Sequence, residues 1–210
     1  MDTRADESQA VGGVFINCPF DADYAPIFEA LIFAVRACGF EARSAREIED
    51  SSQTRIDKLY GIIEECRYGL HDLSRTELDR KTGLPRFNMP LELGIFLGAK
   101  QFGGKEQKLK RCLVLDVEPY RYMKFASDLS GMDIQTHGGK AERAIVTTRD
   151  WLANVSRRKI AGAGLVVASY RRFLKDKPKI ARKAGFDPKA IPFVDFSTIV
   201  TDWLIARRAG

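Results

Sequence analysis

Residues Arg86-Phe87-Asn88-Met89-Pro90-Leu91-Glu92-Leu93-Gly94 set a single carboxylate at the head of the apolar run 95–99. Asn88 or Met89 can cap a helix there, and Pro90 suits its opening turn because the missing N–H would have no intrahelical acceptor. The pattern predicts a helix that is apolar nearly all round, hence buried, with Glu92 in its first turn. Two roles are open to that side chain. A first-turn Glu complements the helix dipole. A carboxylate at the mouth of a buried helix can instead face a cleft and act in catalysis.

The elements that must position it follow from apolar periodicity. Residues 14–16 form a short apolar run that stops at Asn17-Cys18-Pro19-Phe20-Asp21, which has turn chemistry. Tyr24, Ile27, Phe28, Leu31, Ile32 and Val35 recur at helical spacing up to Gly39. Residues 40–44 predict a second strand, Ile56, Leu59, Tyr60, Ile63 and Cys66 the stripe of a second helix, and 68–73 a third strand. A charged loop over 75–88 leads to the Glu92 helix, and 111–116 is the clearest strand of the set. A fifth strand near 133–135 and a helix over 140–157 complete the series. Alternation of this kind predicts an α/β, flavodoxin-like parallel sheet of about five strands with helices on both faces, spanning 13–158. Residues 1–12 read as a disordered tail and 159–210 as a basic helical extension whose Phe196, Ile199, Val200, Trp203 and Leu204 form an apolar stripe.

Ligands of such sheets bind outside the carboxyl ends of the strands. Those ends carry Asn17, Phe20 and Asp21, then Ser44 and Arg46, then Asp72 and Ser74, and the Glu92 helix with Asn88 opens onto the same edge. The mixture suits a nucleotide: carboxylates for ribose hydroxyls, Arg for phosphate, and Phe20 or Phe87 to stack on a base.

Other chemistries lack their motifs. Gly103-Gly104-Lys105 and Gly138-Gly139-Lys140 have neither the upstream Gly nor the Ser/Thr of a phosphate-cradling loop, and no Gly-x-Gly-x-x-Gly follows the first strand. His71 and His137 lie far apart without metal-ligand spacing, so no metal and no resident cofactor is expected. His71 reads as a hydrogen-bonded core residue, while His137, in a Gly-flanked loop, has no assigned role. Cys18, Cys38, Cys66 and Cys112 are widely spaced, which fits reduced thiols in a cytoplasmic protein. No apolar run approaches the roughly 18 residues that span a bilayer, and the polar start lacks a signal peptide's apolar segment. The charge is uneven: residues 151–210 hold 13 Lys or Arg against 4 Asp or Glu, whereas the first 150 hold 21 against 24. The basic end is either a solvated face or a surface with its own partner. Arg171, Arg172, Lys175, Lys177, Lys179, Arg182 and Lys183, with Tyr170 and Phe173 interleaved, could track nucleic-acid phosphates.

These residues together resemble the bacterial branch of the Toll/interleukin-receptor (TIR) domains and their structural relatives, the nucleoside 2-deoxyribosyltransferases. Val14-Phe15-Ile16-Asn17 leading to Asp21 is similar to the opening strand and acidic loop of a TIR domain, and Cys38-Gly39-Phe40 to the turn into its second strand. Ile62-Ile63-Glu64-Glu65-Cys66-Arg67-Tyr68 through Asp72-Leu73-Ser74 resembles the helix and third strand with their hydroxyl-bearing end. Pro90-Leu91-Glu92-Leu93-Gly94 is similar to the Glu-Leu-Gly segment that carries the catalytic glutamate in both families. The resemblance covers residues 13 to about 117 and leaves the basic last 60 outside it.

The resemblance implies cleavage of an N-glycosidic bond, with NAD+ as substrate, or its conversion to a nucleotide signal, in bacterial antiviral defence. It implies Glu92 as the catalytic residue, Asp21 or Asn88 orienting the ribose and Arg46 near phosphate, in a protein activated by homo-oligomerisation or by a partner protein. The chemistry agrees. Breaking the bond builds an oxocarbenium-like charge on the ribose that an adjacent carboxylate can stabilise or capture, and nicotinamide leaves as a neutral group without a general acid. Two alternatives stand beside this expectation: a nucleoside or nucleotide deoxyribosyltransferase or hydrolase, and a nucleotide-binding signalling module that cleaves nothing.

Overall fold

Two opposite faces of the first strand organise the layers. The computed structural model describes residues 12–47, 50–76, 78 and 83–208, so residues 1–11 of the expected disordered tail lie outside the described residues. The chain runs β1 (Gly13–Asn17), α1 (Ala25–Ala37), β2 (Glu41–Arg43), α2 (Arg55–Glu65), β3 (Tyr68–Asp72), α3 (Asn88–Phe102), a one-turn α4 (Lys105–Lys108) and β4 (Arg111–Asp116). After two short 3-10 turns come β5 (Gln135–Thr136), α5 (Ala141–Ser156), α6 (Ala163–Lys183) and α7 (Phe193–Arg208). The five strands pair in parallel in the order β2-β1-β3-β4-β5, the flavodoxin-like layout that the periodicity predicts.

Val14 and Ile16 of β1, with Leu70 of β3 and Leu113 and Leu115 of β4, pack on one side against α1 and α5. Phe15 points the other way, onto Leu59, Ile62 and Ile63 of α2 and Phe96 of α3. This is the period-two alternation of a sheet covered on both faces. Gly69 in β3 lets Phe96 lie directly on the sheet, since a Cβ there would come within 2.8 Å of the ring.

The basic C-terminal helices join the first of these cores. Phe173 of α6 and Trp203 of α7 meet Phe33 of α1 at ring-centroid distances of 5.4 and 6.1 Å. Lys177 pairs with Glu29 of α1 at 2.5 Å, and Arg36 donates to Ser197 Oγ at 2.8 Å. Tyr170 and Phe173 are therefore core residues, turned inward and away from any nucleic acid. Among the described residues no helix is long and apolar enough to cross a membrane.

The helix bearing Glu92 differs from expectation in three respects. Phe87, not Asn88 or Met89, is its N-cap, and no side chain caps it. Glu92 is its fifth residue, beyond the first turn, where the dipole's pull has fallen off. It is not buried all round: Met89, Glu92, Leu93 and Phe96 face inward, while Leu91 and Phe102 are exposed. The inward row follows i, i+3, i+4 and i+7, so the carboxylate lies on the buried face of an amphipathic helix.

Candidate functional site

At the carboxyl edge of the sheet, the loops after β1 and β3 and the N-termini of α2 and α3 enclose a cavity of about 590 Å³. Asn17, Phe20, Asp21, Asn88 and Glu92, five of the candidates drawn from the sequence, line it together. Glu92 is 7% exposed, and its carboxylate has no hydrogen-bond partner among the described residues. Burial pushes its carboxyl up to about 7, against the partial relief of the Arg55 guanidinium. A small recess of about 140 Å³, lined by Ile56, Leu59 and Leu91 together with Arg55 and Asn88, adjoins the same side chain. Glu92 thus stands between a polar cavity and a smaller recess with aliphatic walls.

Asn17 ties the strand to that helix. Its Nδ2 donates to the backbone carbonyl of Met89 at 2.9 Å and bonds His71 Nδ1 at 3.1 Å. His71 is fully buried between Phe15 and Phe96, and burial lowers its pKa to about 3, so the ring stays neutral and its Nδ1 can accept. Both amide hydrogens of Asn17 are then committed inward, which leaves its Oδ1 as the atom available to a ligand. His71 is the core residue that the sequence implies, with the added task of orienting Asn17.

Arginines supply the positive charge. Arg75 pairs with Asp21 at 3.0 Å and Asp23 at 3.2 Å, and Arg55 and Arg86 complete the lining. None of the three is among the site residues that the sequence suggests. A signal existed for Arg55: it opens α2, and helices that follow parallel strands begin at the same sheet edge as the ligand. Cys18 is also in the wall, but burial, then the carboxylates of Asp72 and Glu92, push its thiol well above the usual range, which disfavours a thiolate nucleophile.

The remaining candidates sit elsewhere. Arg46 lines a second cavity of about 480 Å³, with its guanidinium 5.4 Å from the centre of the Phe20 ring. Ser44 is fully buried at the end of β2, where its Oγ accepts a long 3.5 Å bond from the Arg46 N–H. Asp72 and Ser74 line neither cavity. Asp72 accepts from Tyr24 Oη at 2.6 Å, from the Ser74 N–H at 2.8 Å and from His137 Nε2 at 3.0 Å. Burial opposes its charge, yet the His137 contact and these hydrogen bonds hold its carboxyl below the usual carboxylate range.

His137, to which the sequence assigns no role, is buried. Its Nδ1 accepts the Gly139 N–H at 3.0 Å, a turn that needs the positive φ of Gly138 and Gly139, so Nε2 carries the ring proton toward Asp72 and toward Ser74 Oγ at 2.9 Å. Carboxylate and hydroxyl share one ring nitrogen, unlike a nucleophilic triad, in which they occupy opposite ones. The network is structural, and it pins the ends of β3 and β5 to α1. Among the described residues no group of three or more His, Cys, Asp or Glu side chains could hold a metal ion. No family model matches the chain, and no curated protein matches it at a significant level.

Proposed function

We propose that the chain is a TIR-like glycohydrolase that cleaves the N-glycosidic bond of NAD+ at the cavity beside Glu92. One observation carries the reading: a buried carboxylate with no hydrogen-bond partner among the described residues opens between an arginine-lined polar cavity and a small recess with aliphatic walls. A largely buried carboxylate without protein donors costs stability in the resting protein and gains most from a positive charge placed against it. The ribose carbon at the scissile bond is where such a charge develops.

In this reading the nicotinamide ring enters the recess beside Ile56, Leu59 and Leu91, and the ribose lies in the polar cavity. The C1′–N bond breaks with its electron pair passing to the ring nitrogen, which discharges the pyridinium and yields neutral nicotinamide. Glu92 in its ionised form stabilises the oxocarbenium left behind or closes on C1′ as a glycosyl ester. Water then adds at C1′, displacing the Glu92 carboxylate with its electron pair where the ester has formed, and the water's proton is released. In the same reading Asn17 Oδ1 and Asn88, which line the cavity, hold the ribose hydroxyls, and Asp21 holds Arg75 in position. The proposed compartment is the cytoplasm, where NAD+ is abundant, in keeping with four free cysteines.

Nicotinamide release from NAD+ by concentrated protein, compared with Glu92→Gln, tests the reading. The wild-type chain releases nicotinamide, and the folded variant loses about 100-fold or more. Because Glu92 must be ionised, turnover rises with pH through about 7. Absence of release by the wild-type protein, alone and as an assembled oligomer, would remove NAD+ as substrate and turn attention to nucleosides.

A further inference from the structure

The second cavity abuts the first and is built in part by the basic C-terminal segment. The two share Phe20 and Asp21 as a common wall, and the far side of the second is the stretch from Lys189 to Phe196 that leads into α7. Its volume of about 480 Å³ falls in the range of small-molecule sites. Its charges are unevenly committed. The two carboxylates are already taken, Asp21 by Arg75 at 3.0 Å and Glu29 by Lys177 at 2.5 Å. The two other cations, Arg46 and Lys189, are exposed and have no carboxylate partner among the described residues. What the cavity offers a ligand is therefore positive charge beside aromatic rings: Phe28 and Phe193 lie stacked at 5.9 Å with an interplanar angle of 17°, and Phe20 stands edge-on to Phe28 at 5.3 Å.

We infer that this second cavity binds the adenosine diphosphate half of a dinucleotide whose other half reaches Glu92. Arg46 and Lys189 take the diphosphate, and the phenylalanine-lined wall takes the adenine. The C-terminal segment thereby acquires a function: it supplies Lys189 and Phe193 and converts a mononucleotide-sized site into one for a dinucleotide. The identity of the whole ligand rests on the Glu92 reading; the diphosphate-plus-base chemistry of the second cavity does not.

Calorimetric titration of ADP into wild-type protein, Arg46→Ala and Lys189→Ala tests it, with thermal unfolding to show that each variant is folded. ADP binds the wild type, each substitution weakens it about tenfold, as loss of a charge-assisted contact does, and pyrophosphate binds far more weakly than ADP. In the enzymatic assay Lys189→Ala raises KM for NAD+ while kcat holds. No ADP binding, binding unaffected by either substitution, or pyrophosphate as tight as ADP would each overturn the inference. Nicotinamide mononucleotide, which lacks the adenosine half, separates the two readings. If the wild type cleaves neither it nor NAD+ while ADP binding depends on Arg46 and Lys189, the glycosidic reading fails and the second site stands. If NAD+ is cleaved and ADP binding ignores both cations, the second site fails alone.

Discussion

Asp72 and Glu92 are both withdrawn from water, at 0% and 7% exposure, on the same edge of one sheet, yet their environments drive them in opposite directions. Asp72 is met by a tyrosine hydroxyl, a backbone N–H and an imidazole N–H, and it is held ionised. Among the described residues Glu92 meets no hydrogen-bond donor, only the field of Arg55, and its carboxyl rises to about 7. The difference lies in partners. A buried carboxylate with a complete set of donors is part of the scaffold; one left without them is a cost that folding alone does not explain.

The sharpest way to break this comparison is to remove Asp72. Asp72→Ala leaves the buried Tyr24 hydroxyl and Ser74 N–H unpaired, strips His137 of its carboxylate, and is expected to cost about 3–5 kcal/mol, read as a fall in urea midpoint with unchanged m-value. A loss below about 1 kcal/mol would mean that the network is no more than surface-like. Glu92→Gln, by contrast, should leave the fold intact and raise stability at high pH. Its carboxyl pKa is above the unfolded value near 4.5, so its contribution is fully present below that value and is lost as pH rises through about 7. At pH 8.5 the variant should exceed wild type by on the order of 2–3 kcal/mol, and at pH 4.5 the two should unfold together. Equal unfolding temperatures at both pH values would show that Glu92 has partners after all. Asp72 has the opposite window: its depressed carboxyl contributes stability above its unfolded pKa, and that contribution is lost as pH falls through the folded one. The smallest expected effect belongs to Tyr24→Phe, which deletes one of the three donors and should cost about 1.5 kcal/mol in the same denaturation assay.

Legibility in the sequence tracked the range of the interactions involved. The strand at 111–116 and the helix over 140–157 appear as Arg111–Asp116 and Ala141–Ser156 because apolar periodicity is a local property. Glu92 was legible as a candidate from its helix, and Asn17, Asp21 and Asn88 from the rule that strand ends face the ligand. Which candidates would share a cavity was not legible. Asp72 lies two residues beyond Leu70 and follows it onto the α1 face, where Tyr24 and His137, 48 and 65 positions away in sequence, close on it. Nothing local to residue 72 announces those partners. Lys110 makes the same point: a lysine beside a strand reads as solvated, yet it is buried, with Nζ donating to the carbonyls of Ile63 and Cys66 at the end of α2.

By itself, then, the sequence determined the order and type of the elements, the parallel sheet and the edge where chemistry belongs, because the short-range pattern of apolar and polar residues decides which faces must be covered. Tertiary structure alone decided which buried carboxylate is satisfied and which is left to meet a ligand. It also decided that the basic C-terminal helices belong to the same core and complete a second cavity. Those outcomes depend on side chains brought together across tens of residues, and hydrogen-bond satisfaction is a property of the assembled site rather than of any segment within it.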